Sequence, residues 1–151
     1  MIRDVVFDIG RVIVAIHPQP WLDFLVDHGA PRLDLKNTLE HIAINEHETG
    51  RMDGAGLIER LVSWRPERRL RICGSRWLEM FTPEEEMVQL ARRVTPHHGV
   101  YLLSNIGDLH WDHLVTRHGI DRIGHGALTS FHAGVMKPDT AIYAQAEQSS
   151  R

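Results

Sequence analysis

Asp8, Ser104, Asn105 and Lys137 are the residues whose type and placement could do chemistry. Asp8 ends the apolar run Asp4-Val5-Val6-Phe7-Asp8. Ser104 and Asn105 follow Val100-Tyr101-Leu102-Leu103, and Lys137 lies in the loop after a weaker run, Ala127-Leu128-Thr129-Ser130. In parallel α/β sheets, ligands bind beyond the carboxyl ends of the strands. If these runs are successive strands, a carboxylate, a hydroxyl and a lysine converge on one rim. That set suits phosphoryl transfer. A carboxylate can attack phosphorus and form an aspartyl-phosphate, dividing one difficult displacement into two. Mg²⁺ would reduce the repulsion between the two anions, while a hydroxyl and a lysine would hold the equatorial oxygens, where charge spreads in the transition state. Each residue also has a plainer reading: Asp8 as a turn cap, Ser104 as a turn start, Lys137 as a solvated cation.

The elements that must position these groups follow from pattern. The β-branched stretch from Val5 through Val12-Ile13-Val14 reads as a strand buried on both faces. Pro18 and Pro20 then break the chain. Helical stretches follow at Trp21 to Val26, at Leu35, Leu39 and Ile42, and at Leu57, Ile58, Leu61 and Val62, with Asp53 as an N-cap. Thr82-Pro83-Glu84-Glu85 has the form of a capped helix start, and Met87, Leu90, Ala91 and Val94 would be its buried stripe. Another helix follows Gly107-Asp108 and closes at Gly119. The last, with Ile142, Tyr143 and Ala146 as core candidates, follows Lys137-Pro138-Asp139. Alternating strands and helices predict an α/β fold, a parallel Rossmann-like sheet with right-handed crossovers. The helical block at 17–81 is too long for one crossover and reads as an insertion after strand one.

Composition narrows the function classes. Apolar residues are 42% and charged residues 25% of the 151, ordinary values for a globular protein. A net charge of −3 leaves no global basic field for nucleic acid. No apolar run approaches the roughly 18 residues of a membrane helix, and the N-terminus has no signal-peptide form. The single cysteine, Cys73, suits a reducing compartment, so the expectation is a cytoplasmic protein. Arg65 to Arg71 is strongly basic; a solvated helix face is the simpler reading, an anion-attracting patch the sharper one. Eleven histidines invite a metal reading, and His110 and His113 could share a helix face. No cysteine partner or HExxH pattern accompanies them.

Val5-Val6-Phe7-Asp8-Ile9-Gly10-Arg11-Val12-Ile13-Val14 resembles the first motif of the haloacid-dehalogenase (HAD) superfamily, and more closely that of its bacterial α-glucose-1-phosphate phosphatase-like branch. Leu102-Leu103-Ser104-Asn105 resembles the second motif, and Gly134-Val135-Met136-Lys137-Pro138-Asp139 followed by Ala141-Ile142-Tyr143 resembles the third. The three occur in order across nearly the whole chain. The resemblance implies a HAD core at 1–16 and 82–151 and a helical cap at 17–81, with Glu48-Thr49-Gly50-Arg51-Met52 as a turn within that cap. It implies Asp8 as nucleophile and Mg²⁺ ligand, the Gly10 carbonyl as a second ligand, Ser104, Asn105 and Arg11 as substrate-binding residues, and Lys137 as the catalytic cation.

Two departures accompany the resemblance. Gly10 stands where many family phosphatases carry a second Asp, the general acid and base; the glucose-1-phosphate branch tolerates glycine there. The fourth motif, an acidic pair after a fourth strand, has no match between Asp139 and Arg151. The expectation is therefore a C-terminally truncated core whose first strand is an unprotected edge, open to pairing in a homodimer. The leading function is Mg²⁺-dependent hydrolysis of a small phosphorylated metabolite, a sugar phosphate among the candidates. The alternatives are a catalytically impaired HAD-like fragment with a binding or oligomerising role and, lower, a haloacid dehalogenase.

Overall fold

The computed structural model describes residues 2–32, 34–63 and 70–149. The basic stretch from Arg65 lies outside the described residues up to 69, and the side chains of 70–73 are likewise not described. Strand β1, Asp4–Phe7, is followed by a tight turn and by β2, Val14–Ile16. Helices α1 (Gln19–Asp27), α2 (Leu35–His41), α3 (Ile44–Glu48), α4 (Gly54–Val62) and α5 (Leu70–Leu78) come next. Strand β3, Phe81–Pro83, leads into α6 (Glu85–Val94), β4 (Gly99–Ser104), α7 (Asp108–His118), β5 (Gly126–Thr129), α8 (Ser130–Ala133) and α9 (Thr140–Ser149).

The main sheet has the order β1-β4-β5 and is parallel throughout. The register runs from Asp4↔Gly99 to Phe7↔Leu102 and from Tyr101↔Gly126 to Ser104↔Thr129. All three strands therefore end on one rim, as the sequence predicted for Asp8, Ser104 and the Lys137 loop. Ile9, Ile13, Val88, Ala91, Val100, Leu102 and Leu114 form the core around this sheet. A second apolar cluster joins Trp21, Leu25, Ile42, Leu57, Leu61, Trp77 and Met80 of the helical block, and Phe81 packs against both. The Trp21 and Trp77 rings meet edge to face at 4.5 Å, a geometry the ring quadrupoles favour.

Several local expectations are corrected. The strand does not run on to Val14: it stops at Phe7, and the amides of Val12, Ile13 and Val14 all donate to the Ile9 carbonyl at 3.3, 2.9 and 2.9 Å. Val6 is half exposed rather than buried, because β1 pairs only with β4 and has no strand on its other side among the described residues. β2 and β3 form a separate antiparallel ribbon, so the entry and exit of the helical block lie side by side. Thr82-Pro83 is part of that ribbon, not a helix start. The Glu84 amide donates to the Ile13 carbonyl at 2.8 Å, and α6 opens without a side-chain cap. A two-stranded edge tolerates the proline. Leu90 and Tyr143, read as core, are exposed; Val88 is buried instead of Leu90, and Ile142 is buried as expected.

Candidate active site

Asp8 directly follows β1, and one carboxylate oxygen accepts from the Ile9 amide at 2.7 Å. The other oxygen is 2.7 Å from Lys137 Nζ, in a partly exposed ion pair. Lys137 arrives from the loop after β5 and also donates to the Leu103 carbonyl at 3.0 Å. Two side chains from distant parts of the sequence thus meet at the carboxyl end of the sheet.

Asn105 explains how Lys137 is held. Its Oδ1 accepts from the Lys137 amide at 2.7 Å, and its Nδ2 donates to the Lys137 carbonyl at 3.0 Å. The side chain clamps the lysine's main chain and keeps one further N–H free of these two bonds. This clamp adds a structural role to Asn105, which the sequence reading expected only as a substrate-binding residue. Ser104 is buried, and its hydroxyl makes only a long contact, 3.5 Å, with the Asn105 carbonyl, so it retains donor capacity for a ligand.

Beside this rim lies a cavity of about 370 Å³. Gly10, Arg11, Ser104 and Asn105 line its core side; Glu48, Asn45 and apolar side chains including Leu39, Ile44 and Trp77 line the other. Arg11 is exposed and adopts φ 61°, a left-handed conformation that costs a non-glycine residue about 1–2 kcal/mol. The turn after β1 sets Arg11 in the lining of the cavity. Every predicted site residue is therefore on this rim or lines this cavity.

One group was not recognised from sequence, and a second, His110, was considered there only in a metal reading. Glu48 was placed only in a turn, yet it lines the cavity, and burial pushes its pKa up to about 7 against the opposing pull of Lys137. No periodicity marks such a residue, since α3 has only five residues. His110 is buried, with its ring 4.7 Å from Trp77 and 4.3 Å from Phe81. Burial, then His47 and His113, hold its pKa well below the usual value, so the ring is neutral. His113 instead meets His118 at 5.8 Å, and among the described residues no three His, Cys, Asp or Glu side chains gather to hold a metal.

By sequence, the chain matches no protein-family model and no curated protein. Its structure is similar to solved ones. A HAD family enzyme from Bacteroides thetaiotaomicron superposes with TM-score 0.87 at 16% identity, over 99% of this chain and 78% of that one. The same enzyme in complex with magnesium and inorganic phosphate gives 0.85 at 17%, over 99% and 79%. A protein from Porphyromonas gingivalis described as a predicted HAD-like family hydrolase gives 0.80 at 20%, over 99% and 77%. The L-2-haloacid dehalogenase from Xanthobacter autotrophicus, with chloropropionic acid covalently bound, gives 0.66 at 20%, over 99% and 65%. At these identities the likeness is one of fold, and the α/β fold of this chain is that of the HAD-family enzymes.

Proposed function

We propose that this chain is a HAD-family hydrolase, and specifically a Mg²⁺-dependent phosphatase of a small phosphorylated metabolite that reacts through an aspartyl-phosphate on Asp8. The observation that carries the reading is the Asp8–Lys137 pair at 2.7 Å on the carboxyl rim of a parallel sheet, with Ser104 and a cavity beside it. The glucose-1-phosphate phosphatase-like branch rests on the sequence motifs alone. Dehalogenation ranks lower, because the dehalogenase superposes less well than the enzyme bound to magnesium and phosphate.

The donor set fits Mg²⁺. Asp8 and the Gly10 carbonyl offer hard oxygens without a multi-residue cage, and Mg²⁺ is commonly held by one or two carboxylates, substrate phosphate and retained waters. When bound, the ion would offset the charge between carboxylate and phosphate. Lys137 carries out the same task from the protein side: its ammonium lies against the attacking carboxylate and can bridge to an equatorial phosphate oxygen. Ser104 would donate its hydroxyl to a second oxygen, and Arg11, in the cavity lining, would attract the dianion. An Asp8 carboxylate oxygen attacks phosphorus, the bond to the leaving oxygen breaks, and water then hydrolyses the acyl-phosphate to regenerate the carboxylate.

A screen of phosphate esters with and without Mg²⁺ tests the assignment, paired with hydroxylamine trapping of the acyl-phosphate. Asp8→Asn is expected to keep the fold and abolish both turnover and trapping, since an amide cannot form the anhydride. Wild-type activity in that variant overturns the nucleophile assignment. Halide release from a haloacid without phosphatase activity would favour the dehalogenase.

A further inference from the structure

The proposed displacement leaves a need unmet by the first motif. Departure of an alkyl oxygen from phosphorus requires a proton, and Gly10 has no side chain to supply one. Lys137 is held in its ion pair with Asp8 and its bond to the Leu103 carbonyl. The Arg11 guanidinium does not release its proton, and the buried His110 ring is kept neutral by its surroundings. Among the described residues lining the cavity, Glu48 is the carboxyl.

Its placement is unusually firm for a residue of the helical block. Glu48 ends α3, and its carbonyl accepts a hydrogen bond from the hydroxyl of Ser130, a buried residue at the start of α8. That same oxygen of Ser130 accepts from the Ile106 amide at 3.0 Å, in the loop after β4. Two residues on, Gly50 has φ 71°, and a Cβ there would stand 2.5 Å from the Phe131 carbonyl oxygen, so backbone meets backbone closely. The Gly54 amide, opening α4, donates to Asp108 at 3.1 Å, and buried His47 fills the space a side chain at position 107 would need. The segment carrying Glu48 is thus pinned to the stretches that follow β4 and β5, on the rim that also bears Ser104, Asn105 and Lys137. A donor held this way needs little reorganisation to meet a leaving group.

We infer that Glu48 is the general acid that protonates the leaving oxygen, replacing from the helical block the carboxyl that Gly10 lacks; this rests on the phosphatase reading. An Asp8 oxygen bonds to phosphorus as the ester P–O bond breaks, and the departing electron pair takes the Glu48 proton, releasing the alcohol. The Glu48 carboxylate then accepts a proton from the water that attacks the aspartyl-phosphate, so phosphate leaves and both carboxyls return to their starting states. The raised pKa of about 7, caused by burial, lets one group serve both steps near neutrality. The charges around it do not provide a substitute. Lys137 opposes the shift. Arg11 shares the cavity. On the packed helices, Lys36–Glu40 and Arg60–Glu46 are surface ion pairs at 3.9 and 3.1 Å, His41 is exposed, and His132 is bonded to Thr129 at 2.8 Å.

The test compares glycerol 2-phosphate, a poor leaving group, with p-nitrophenyl phosphate, a good one, in wild type and Glu48→Gln. General acid catalysis contributes about 10²–10⁴-fold. The variant is therefore expected to lose at least about 100-fold in kcat/KM on the glycerol ester and under about 10-fold on the nitrophenyl ester. In wild type alone, kcat/KM on the glycerol ester should fall as pH rises through about 7, with a weaker limb on the nitrophenyl ester. Equal losses on both esters, no loss on either, or a wild type that cleaves only the nitrophenyl ester overturns the acid assignment and leaves the phosphatase reading standing. A wild type that cleaves neither ester overturns the phosphatase reading, and the assignment with it.

Discussion

Asn105→Ala isolates how Lys137, the proposed catalytic cation, is positioned. The variant removes the bonds at 2.7 and 3.0 Å that clamp the Lys137 main chain to the end of β4. Each neutral hydrogen bond is worth about 0.5–1.5 kcal/mol net, so the loss is about 2 kcal/mol. For a chain of this size each kcal/mol lowers Tm by about 2–4 °C, which gives a fall of about 4–8 °C. The kinetic consequence follows from the ion pair. Lys137 Nζ reaches Asp8 at 2.7 Å from a backbone that has lost its tether, and a displacement near 1 Å at a reacting centre costs about 100-fold. The loss should fall on kcat, because the lysine stabilises charge that develops in the transition state. Asn105→Asp should not rescue: its carboxylate can accept from the Lys137 amide but presents a second oxygen to the Lys137 carbonyl. Thermal melts and steady-state kinetics suffice to check this. A Tm change under about 1 °C, with the kinetic loss confined to KM, would refute the clamp and return Asn105 to direct phosphate binding.

Two further outcomes are expected. Burial raises the Glu48 pKa from 4.5 to about 7, so between those values the folded chain binds more protons than the unfolded one, and stability falls as pH rises. Glu48→Gln removes that slope: relative to wild type it should gain stability from pH 4 to pH 8, by about 3 kcal/mol at most, and urea melts with the same difference at both pH values would contradict the shift. The open side of β1, where Val6 is half exposed and Ile2 is 71% exposed, is proposed to pair with a second copy of the chain. Sedimentation should then show a dimer that Val6→Lys shifts toward monomer, and a wild-type monomer at all concentrations would reject it.

The long, strongly patterned elements were legible because their signals are local. Asp53 caps α4 by accepting from the Gly56 amide at 2.9 Å. Val100 to Leu103 forms the central strand, and Gly119 closes α7 at φ 61°. The errors cluster where pairing across the chain overrides local preference. Thr82-Pro83 has the chemistry of a helix start, but its backbone is claimed by Val14 and Ala15 in a ribbon sixty-odd residues away in sequence. Leu90 fits the apolar period of α6, yet the face that packs on the sheet is the one bearing Val88 and Ala91.

Sequence alone pointed to Asp8, Ser104 and Lys137 on one rim of a parallel sheet and to a helical block after the first strand. In a parallel sheet, a polar residue after each apolar run has only one end at which to emerge. Only the tertiary structure decided what those groups do to one another. It turned Asn105 into the clamp of Lys137 and brought Ser130 under Glu48, across 82 residues of chain. It also shielded the Glu48 carboxyl from solvent, which pushes its pKa up to about 7. Hydrogen bonding and desolvation depend on which surfaces meet, and residues so far apart in the chain carry no local pattern that records the meeting.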